Sequence, residues 1–323
     1  MAGYFCVSLD TELYWGVHDT GTLDYIENVR IGREKAIPEM LRLFEKYRIH
    51  TTWAIVGAAF AETLDELKKF IPPKELQPSY SNDVRSPYHL FDEHIIDEDG
   101  ERLSAFLGGK DIERIQSVPY QEIATHTFSH YYCKETGQTV EQFKADLKAA
   151  VEISKDKGIE LKSIVYPKNE IEVEYLKASS ELGIEAYRGI ENNWIYNSNM
   201  PMILKKLLRF ADAYFPISGP NCHNMTKNGS LYNLCASRIL KPYNKKLSFL
   251  EPLKLKRIKR QMLYAAKNDK LFHIWWHPHN FGANTDKNLA ILEEILKYFK
   301  ELEEKYGMQS KNMIELTAIL KEK

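Results

Sequence analysis

Glu122-Ile123-Ala124-Thr125-His126-Thr127-Phe128-Ser129-His130 joins a short apolar run to two histidines four residues apart. The run predicts the end of a strand that delivers His126 to the strand terminus. On a helical turn, positions i and i+4 lie on one face, so both imidazoles would reach one metal ion. The stretch therefore predicts a metal site with two nitrogen ligands at the end of a strand.

Strand-like and helix-like segments alternate along the 323 residues, which predicts a parallel sheet with helices outside it. The predicted strands are 4–10, 51–56, 120–126, 163–166, 185–188 and 271–276, and the predicted helices are 33–48, 59–70, 139–157, 170–182, 199–210, 254–268 and 284–306. Chemically capable side chains fall at strand ends, where a β/α barrel builds its active site. We expect one catalytic domain over 1–323, with insertions at 72–118 and 190–250 that form loops around the site mouth.

The composition is that of an ordinary globular protein. Lys and Arg (44) nearly balance Asp and Glu (45), so no bulk basic charge points to nucleic acid. The four cysteines have no metal-binding spacing. No run approaches the roughly 18 apolar residues of a membrane span, and no secretory leader precedes the first strand. We therefore expect a cytoplasmic protein without a membrane span.

Asp10 and Glu12 form an Asp-x-Glu pair at the end of the first predicted strand. Strand geometry turns side chains two apart toward the same side, and a cation relieves the repulsion between two carboxylates. One carboxylate with His126 and His130 makes a three-ligand set for Zn²⁺ that leaves a position for water. The other carboxylate is then available as a general base. Taken alone, each pair also fits a solvated loop or ordinary core and surface positions.

A third cluster lies in Phe272-His273-Ile274-Trp275-Trp276-His277-Pro278-His279-Asn280. The aromatic strand delivers His277 at its end, and Pro278 terminates the strand. An imidazole at this position could protonate a leaving group. The alternative is a partly buried imidazole that packs beside two tryptophans.

These residues resemble the polysaccharide deacetylases of the NodB-homology type, the carbohydrate esterase family 4 proteins. His126–His130 matches the family's His-[Ser/Thr]-x-x-His motif in full, and the resemblance covers residues 4 to 280 in the family's order. It implies an α/β fold, a distorted (β/α)₇ barrel. It also implies that Asp10 is the base and that Glu12, where the family has Asp, binds the metal with both histidines. The implied cofactor is a divalent metal ion, with Zn²⁺ as the expected one.

The family's third motif, an Arg followed by Pro, is altered to Tyr166-Pro167-Lys168. Either Lys168 or Arg188 would then pair with Asp10 and keep it ionised. The resemblance further implies that a backbone N–H after Tyr166 stabilises the oxyanion, and Tyr166 is assigned to substrate binding.

The family's final His-Pro element is resembled by Trp276-His277-Pro278. It assigns the general-acid role to His277, with His279 as the second choice. Trp276 and His279 are the remaining residues expected to bind substrate.

The resemblance implies hydrolysis of the N-acetyl group of an amino sugar to acetate and a free amine. Because no secretory leader is expected, we predict a nucleotide-linked or lipid-linked sugar or oligosaccharide, in capsule or O-antigen synthesis. Three alternatives stay open: a non-sugar amide or ureide as substrate, an N-formyl sugar, and a non-catalytic glycan-binding descendant. The sequence does not define the oligomeric state.

Overall fold

The architecture is described by a computed structural model that covers residues 2–20, 25–92 and 103–322. Its strands form one curled sheet in the order β6-β7-β5-β4-β3-β2-β1-β9-β8, with β10 paired to the start of β1. The strands are β1 (Tyr4–Thr11), β2 (Thr51–Ile55), β3 (Gln121–Thr125), β4 (Ser163–Ile164), β5 (Ala186–Tyr187), β6 (Thr226–Asn228), β7 (Leu231–Asn233), β8 (Arg238–Ile239), β9 (Leu271–Trp276) and β10 (Gln309–Ser310). Neighbours pair in parallel except β6 and β7. This sheet confirms the predicted distorted α/β barrel.

Helices fill most of the connections between the strands. The α-helices of the described residues are α1 (Tyr25–Ile31), α2 (Ile37–Tyr47), α3 (Leu64–Phe70), α4 (His89–Asp92), α5 (Gly109–Gln116), α6 (Val140–Asp156), α7 (Val173–Glu181), α8 (Trp194–Asn197), α9 (Met202–Asp212), α10 (Glu251–Lys267), α11 (Thr285–Tyr306) and α12 (Met313–Lys321). None of them combines the length and the apolar composition that a membrane span requires.

The register of the strands places the site. The strands β1 to β5 are neighbours in the sheet, and their last residues are paired with one another in register. These residues are Thr11, Ile55, Thr125, Ile164 and Tyr187. The residues that follow these ends therefore emerge together at one edge of the sheet, as parallel strands require. Glu12, His126 and Arg188 are all among them.

The two faces of the sheet are packed differently. One face carries small side chains such as Cys6, Ala54 and Ala124, and α12 covers it with Met313 and Leu316. The larger apolar side chains form the main core with the surrounding helices. The small side chains leave room for α12 to pack closely on the sheet.

Local signals in the sequence explain individual boundaries. Thr139 caps α6 as predicted, because its hydroxyl accepts from the N–H of Gln142 at 3.2 Å and the Gln142 side chain accepts from the Thr139 N–H at 3.1 Å. Gly183 follows α7 with φ of +90°, which is the left-handed conformation of a helix C-terminus.

The segment 190–250 is more than the loop that the sequence predicts. It contains the predicted helix, observed as α9, and also strands β6, β7 and β8, which extend the sheet at both of its edges. These strands have only two or three residues each, too few for alternation to reveal them. Residues 93–102 of the other insertion, 72–118, lie outside the described part.

Candidate active site

Asp10 and Arg188 form a buried pair at the centre of the strand-end cluster. The Arg188 guanidinium donates to both carboxylate oxygens, at 2.6 Å and 2.8 Å. Burial raises the pKa of Asp10, but the facing guanidinium outweighs this and holds the pKa below its ordinary value. Asp10 is therefore kept ionised although only 3% of its surface is exposed.

The guanidinium is itself held by several neighbours. Its Nη1 donates to the Ser8 hydroxyl at 3.0 Å, and its Nη2 and Nε donate to Oδ1 of Asn169 at 2.9 Å and 3.2 Å. The Trp275 ring lies 4.2 Å from the guanidinium carbon. Because the guanidinium is held by these neighbours, its two hydrogen bonds fix the Asp10 carboxylate in one orientation. A fixed orientation is what a general base requires.

Glu12, His126 and His130 converge on a single point. The Nε2 atoms of His126 and His130 lie 3.1 Å and 3.3 Å from the same carboxylate oxygen of Glu12. All three side chains are buried. Burial raises the pKa of Glu12, but the surrounding imidazoles bring it well below its ordinary value.

These three residues fit a divalent metal ion. Two ligands at about 2.0–2.1 Å from a tetrahedral zinc are separated by roughly 3.4 Å, close to the distances of 3.1 Å and 3.3 Å observed between the donor atoms. Asp10, Glu12 and His277 form a second group of suitable size. The first group is the better one, because the charge of Asp10 is already matched by Arg188.

The loop that carries the two histidines is not the predicted helical turn. Residues 126–130 follow β3 as an irregular loop, and Thr127 and His130 have left-handed φ angles of +64° and +61°. A β-branched residue seldom adopts this conformation. The prediction of the helix was wrong, yet the rings still meet, with centroids 5.1 Å apart.

Asp146, on α6, holds this loop from below. Its carboxylate accepts from the backbone N–H groups of Phe128 at 2.7 Å and Ser129 at 3.1 Å, and from the Ser129 hydroxyl. Burial raises the pKa of Asp146 to about 6. Asp146 is a positioning residue that the sequence analysis missed, since a lone Asp on a helix gives no local signal.

Gly16 leaves room for the carboxylate of Glu12. A Cβ atom at position 16 would lie 1.9 Å from one Glu12 oxygen and 2.6 Å from the Glu12 Cβ. The chain turns back here through a hydrogen bond from the Trp15 N–H to the Glu12 carbonyl at 3.1 Å. The backbone of Gly16 therefore packs directly against the Glu12 side chain, where any other residue would clash.

His277 approaches the cluster from β9. Its Nε2 lies 3.3 Å from Glu12 and 3.9 Å from Asp10, and its side chain is 22% exposed to the cleft. Burial lowers the pKa of His277, but the two carboxylates outweigh this and raise it above its ordinary value. The ring therefore tends to hold a proton.

Lys168 does not contact Asp10. Its ammonium lies 3.4 Å from the centre of the Tyr132 ring and 3.9 Å from Asp19. Lys168 has a left-handed φ of +56° and lines the cleft beside the cluster without forming an ion pair with Asp10. Of the two cations considered from the sequence, the structure places Arg188 on Asp10.

Three residues expected to bind substrate lie elsewhere. Tyr166 is fully buried, with its hydroxyl 2.7 Å from that of Ser179. The residue after it is Pro167, which has no N–H, so the first possible donor to an oxyanion there is Lys168. Trp276 packs in the core against Phe44 and Phe281.

His279 is the third of these residues. It is 3% exposed and lies on the turn Pro278–Phe281, edge-on to Tyr25 at 6.0 Å. Burial lowers its pKa to about 4. Unlike His277, it does not line the cleft in the described part of the chain.

The cleft above the cluster has a volume of about 360 Å³. Asp10, Glu12, His130 and His277 form its floor, and Trp275 contributes to the wall. The sequence analysis assigned substrate binding to Trp276 and missed Trp275. Counting in steps of two from His277 would have found it, because alternate residues of a strand share a face.

Fold and geometry together define a class: α/β proteins with a curled sheet and a buried two-histidine, one-carboxylate cluster at the strand ends. The family model described as "Polysaccharide deacetylase" matches residues 21–187, more than half of the chain. The chain belongs to the polysaccharide deacetylase family. The match contains both histidines of the loop, whereas Asp10, Glu12 and His277 lie outside it.

Solved structures share the fold. One is a putative polysaccharide deacetylase from Mycobacterium smegmatis (TM-score 0.60, 11% identity, 99% of this chain and 91% of that chain). Another is a GH57-type branching enzyme from the hyperthermophilic archaeon Pyrococcus horikoshii (TM-score 0.52, 13% identity, 98% and 70%). A third is the 4-α-glucanotransferase of Thermococcus litoralis (TM-score 0.52, 12% identity, 97% and 39%). A comparison with curated proteins found no match.

Proposed function

We propose that the protein is a metal-dependent hydrolase that removes the N-acetyl group from an amino sugar in a glycan or glycan precursor. The observation that carries the proposal is the convergence of Glu12, His126 and His130 on one point beside a carboxylate that Arg188 keeps ionised. Membership of the polysaccharide deacetylase family supports a carbohydrate substrate.

Glu12, His126 and His130 would hold the metal, with Zn²⁺ favoured by the two imidazoles and one carboxylate. A bound zinc ion supplies Lewis acidity, which polarises a carbonyl and makes water a better nucleophile. The side chains of Glu12, His126 and His130 are buried, and this burial strengthens electrostatic interactions within the site.

Asp10 has the properties of the general base. It lies at the cleft floor, it is ionised, and its carboxylate is fixed in orientation by two hydrogen bonds from Arg188. Asp10 would take the proton of the attacking water. The guanidinium then stabilises the carboxylate between turnovers without competing for the proton, because arginine stays charged.

His277 has the properties of the general acid. Its pKa is raised by the neighbouring carboxylates, so a proton is available on the ring at the cleft. His277 would give this proton to the departing sugar amine. Base and acid thus stand on adjacent strands, β1 and β9, whose parallel register fixes their separation.

The test is the Asp10→Asn variant, assayed for acetate release from a panel of N-acetylhexosamines and their oligosaccharides. We expect activity to fall by about 10²–10⁴-fold, the usual contribution of a general base, while zinc content stays near that of the unmodified protein. The matched His126→Ala and His130→Ala variants should lose zinc as well. Retained turnover in Asp10→Asn would overturn the assignment of the base.

The same panel addresses the other functions that the sequence leaves open. Formate release would identify an N-formyl sugar, turnover of non-sugar amides alone would identify a different amidohydrolase, and zinc and glycan binding without turnover would identify a binding protein. The cytoplasmic location and a role in capsule or O-antigen synthesis stay predictions.

A further inference from the structure

A second cavity opens beside the catalytic cleft. It has a volume of about 230 Å³ and is lined mainly by residues of the segment 190–250. Glu191, Tyr196 and Arg209 line both this cavity and the cleft. A ligand whose sugar lies over Asp10 can therefore extend into the second cavity without leaving the protein surface.

Three cations that form no described salt bridge line this cavity. Lys206, Arg209 and Lys241 line it, and among the described ion pairs none involves any of the three. Two of them lie against aromatic rings, with Arg209 4.4 Å from the centre of Tyr196 and Lys241 5.1 Å from that of Phe210. Aromatic faces orient a cation but leave its charge unneutralised.

The acidic groups of the cavity do not offset this charge. Asp212 is shared between Arg238 at 2.9 Å and Arg257 at 3.4 Å. Glu191 is 8% exposed, and burial raises its pKa to about 7, so it carries only part of a charge at neutral pH. Burial and the nearby arginines lower the pKa of Lys241, and the opposing effect of Glu191 is too small to offset them.

We propose that this cavity binds a phosphate or diphosphate ester of the substrate while the N-acetyl sugar occupies the catalytic cleft. The inference rests on the proposed function and names its substrate class. A planar guanidinium and flexible ammonium groups are the side chains that bind phosphate oxygens best. The volume of about 230 Å³ is sufficient for such a group.

Two kinds of glycan precursor carry this diphosphate: nucleotide-linked and lipid-linked sugars. The helix that supplies Arg209, α9, also exposes Ile203 and Leu207, which are 84% and 62% accessible. A lipid tail attached to the diphosphate could lie along this apolar face. The shared chemistry is the diphosphate, and the experiment separates the two sources.

The binding experiment titrates inorganic pyrophosphate into the zinc-loaded full chain by calorimetry. We expect the double variant Lys206→Gln/Lys241→Gln, which changes two cations that line this cavity and not the cleft, to lose about 10–100-fold in affinity, since charge-assisted contacts of this kind are strong. Lys245→Gln removes an exposed cation outside the cavity and should change nothing. Zinc content is measured in each sample, so that a difference in pyrophosphate affinity can be assigned to the two side chains and not to a difference in zinc loading.

The kinetic experiment compares a diphosphate-linked N-acetyl sugar with a neutral N-acetylchitooligosaccharide. The double variant should raise KM for the first by about 10–100-fold, with kcat within about twofold and with KM for the neutral sugar unchanged. Ile203→Ser/Leu207→Ser should raise KM only if the substrate is lipid-linked. Unchanged pyrophosphate affinity, or equal KM changes for both sugars, would overturn the proposal. Loss of pyrophosphate binding in a protein that hydrolyses no amide would instead support this site and refute the proposed activity.

Discussion

Arg188 and Lys168 provide a matched comparison of two cations near the same carboxylate. Arg188→Met leaves Asp10 buried without its partner, which typically destabilises a protein by about 3–5 kcal/mol, and activity should fall to the level of Asp10→Asn. Lys168→Met removes a cation that contacts Tyr132 and Asp19 instead, so we expect at most a few-fold change. Urea unfolding and acetate release measure both effects. Equal losses in the two variants would contradict the assignment of Arg188 as the partner of Asp10.

At the scale of single residues, the sequence predicted the side chains that meet at the candidate metal site better than the side chains that hold them in place. Asp10, Glu12, His126, His130 and His277 could all be predicted, because each follows a strand-like run and has a reactive side chain. The choice between Lys168 and Arg188 could not be made, since it depends on which cation the backbone turns inward. Trp275 and not Trp276 lines the cleft, because alternate residues of a strand share a face and Trp275 stands two residues before His277.

Among the secondary-structure elements, α6 has a role beyond packing. Its Asp146 holds the backbone of the histidine loop in a conformation that Thr127 and His130 would not adopt by themselves. Asp146→Ala leaves buried N–H groups unpaired, at about 1–3 kcal/mol each, and frees the loop. We expect metal affinity to fall by about 10–100-fold, as when groups that orient metal ligands are removed.

Zinc titration and thermal unfolding test this prediction. Asp156→Ala, at the exposed end of the same helix, is the control and should leave both quantities nearly unchanged. Unaltered zinc affinity in Asp146→Ala would show that the loop keeps its shape without the helix.

The strands and helices with strong periodicity were predicted to within a few residues, and the capping signals of α6 explain why its start was placed so closely. The missed elements are the strands β6, β7, β8 and β10 and the helices α1, α4, α5, α8 and α12. The four strands have two or three residues each, so they depend on neighbours distant in sequence and not on local pattern. The helical turn at residues 126–130 failed for the opposite reason, because tertiary contacts from Asp146 overrode it.

For the whole molecule, a buried neutral histidine sets a limit on acid stability. His273 lies between the Leu234 carbonyl and the Ser8 hydroxyl, both at 2.9 Å, and burial lowers its pKa to about 3. The unfolded chain takes up this proton near pH 6.5, so folding stability falls as pH decreases from about 6.5 toward 3. The slope approaches 1.4 kcal/mol per pH unit for this one group.

The measurement is urea unfolding of the unmodified protein and of His273→Gln at pH 7.5 and pH 5. The variant keeps a hydrogen-bonding side chain but cannot titrate in this range, so its stability should depend less on pH by about that slope. Other histidines contribute equally to both proteins and cancel in the difference. Identical pH dependence in the two would refute the role of His273.

The contact between Gly16 and Glu12 has a consequence for recognising related chains. Because even the Glu12 Cβ lies 2.6 Å from where a Cβ at position 16 would stand, shortening Glu12 to Asp does not create room for a larger residue. Position 16 should therefore stay glycine in any chain that keeps this turn, whether position 12 carries Glu or Asp. The spaced signature Asp-x-Glu-x-x-x-Gly could be used to search genomes for proteins that build the same carboxylate ligand, even where the histidine motif alone is ambiguous.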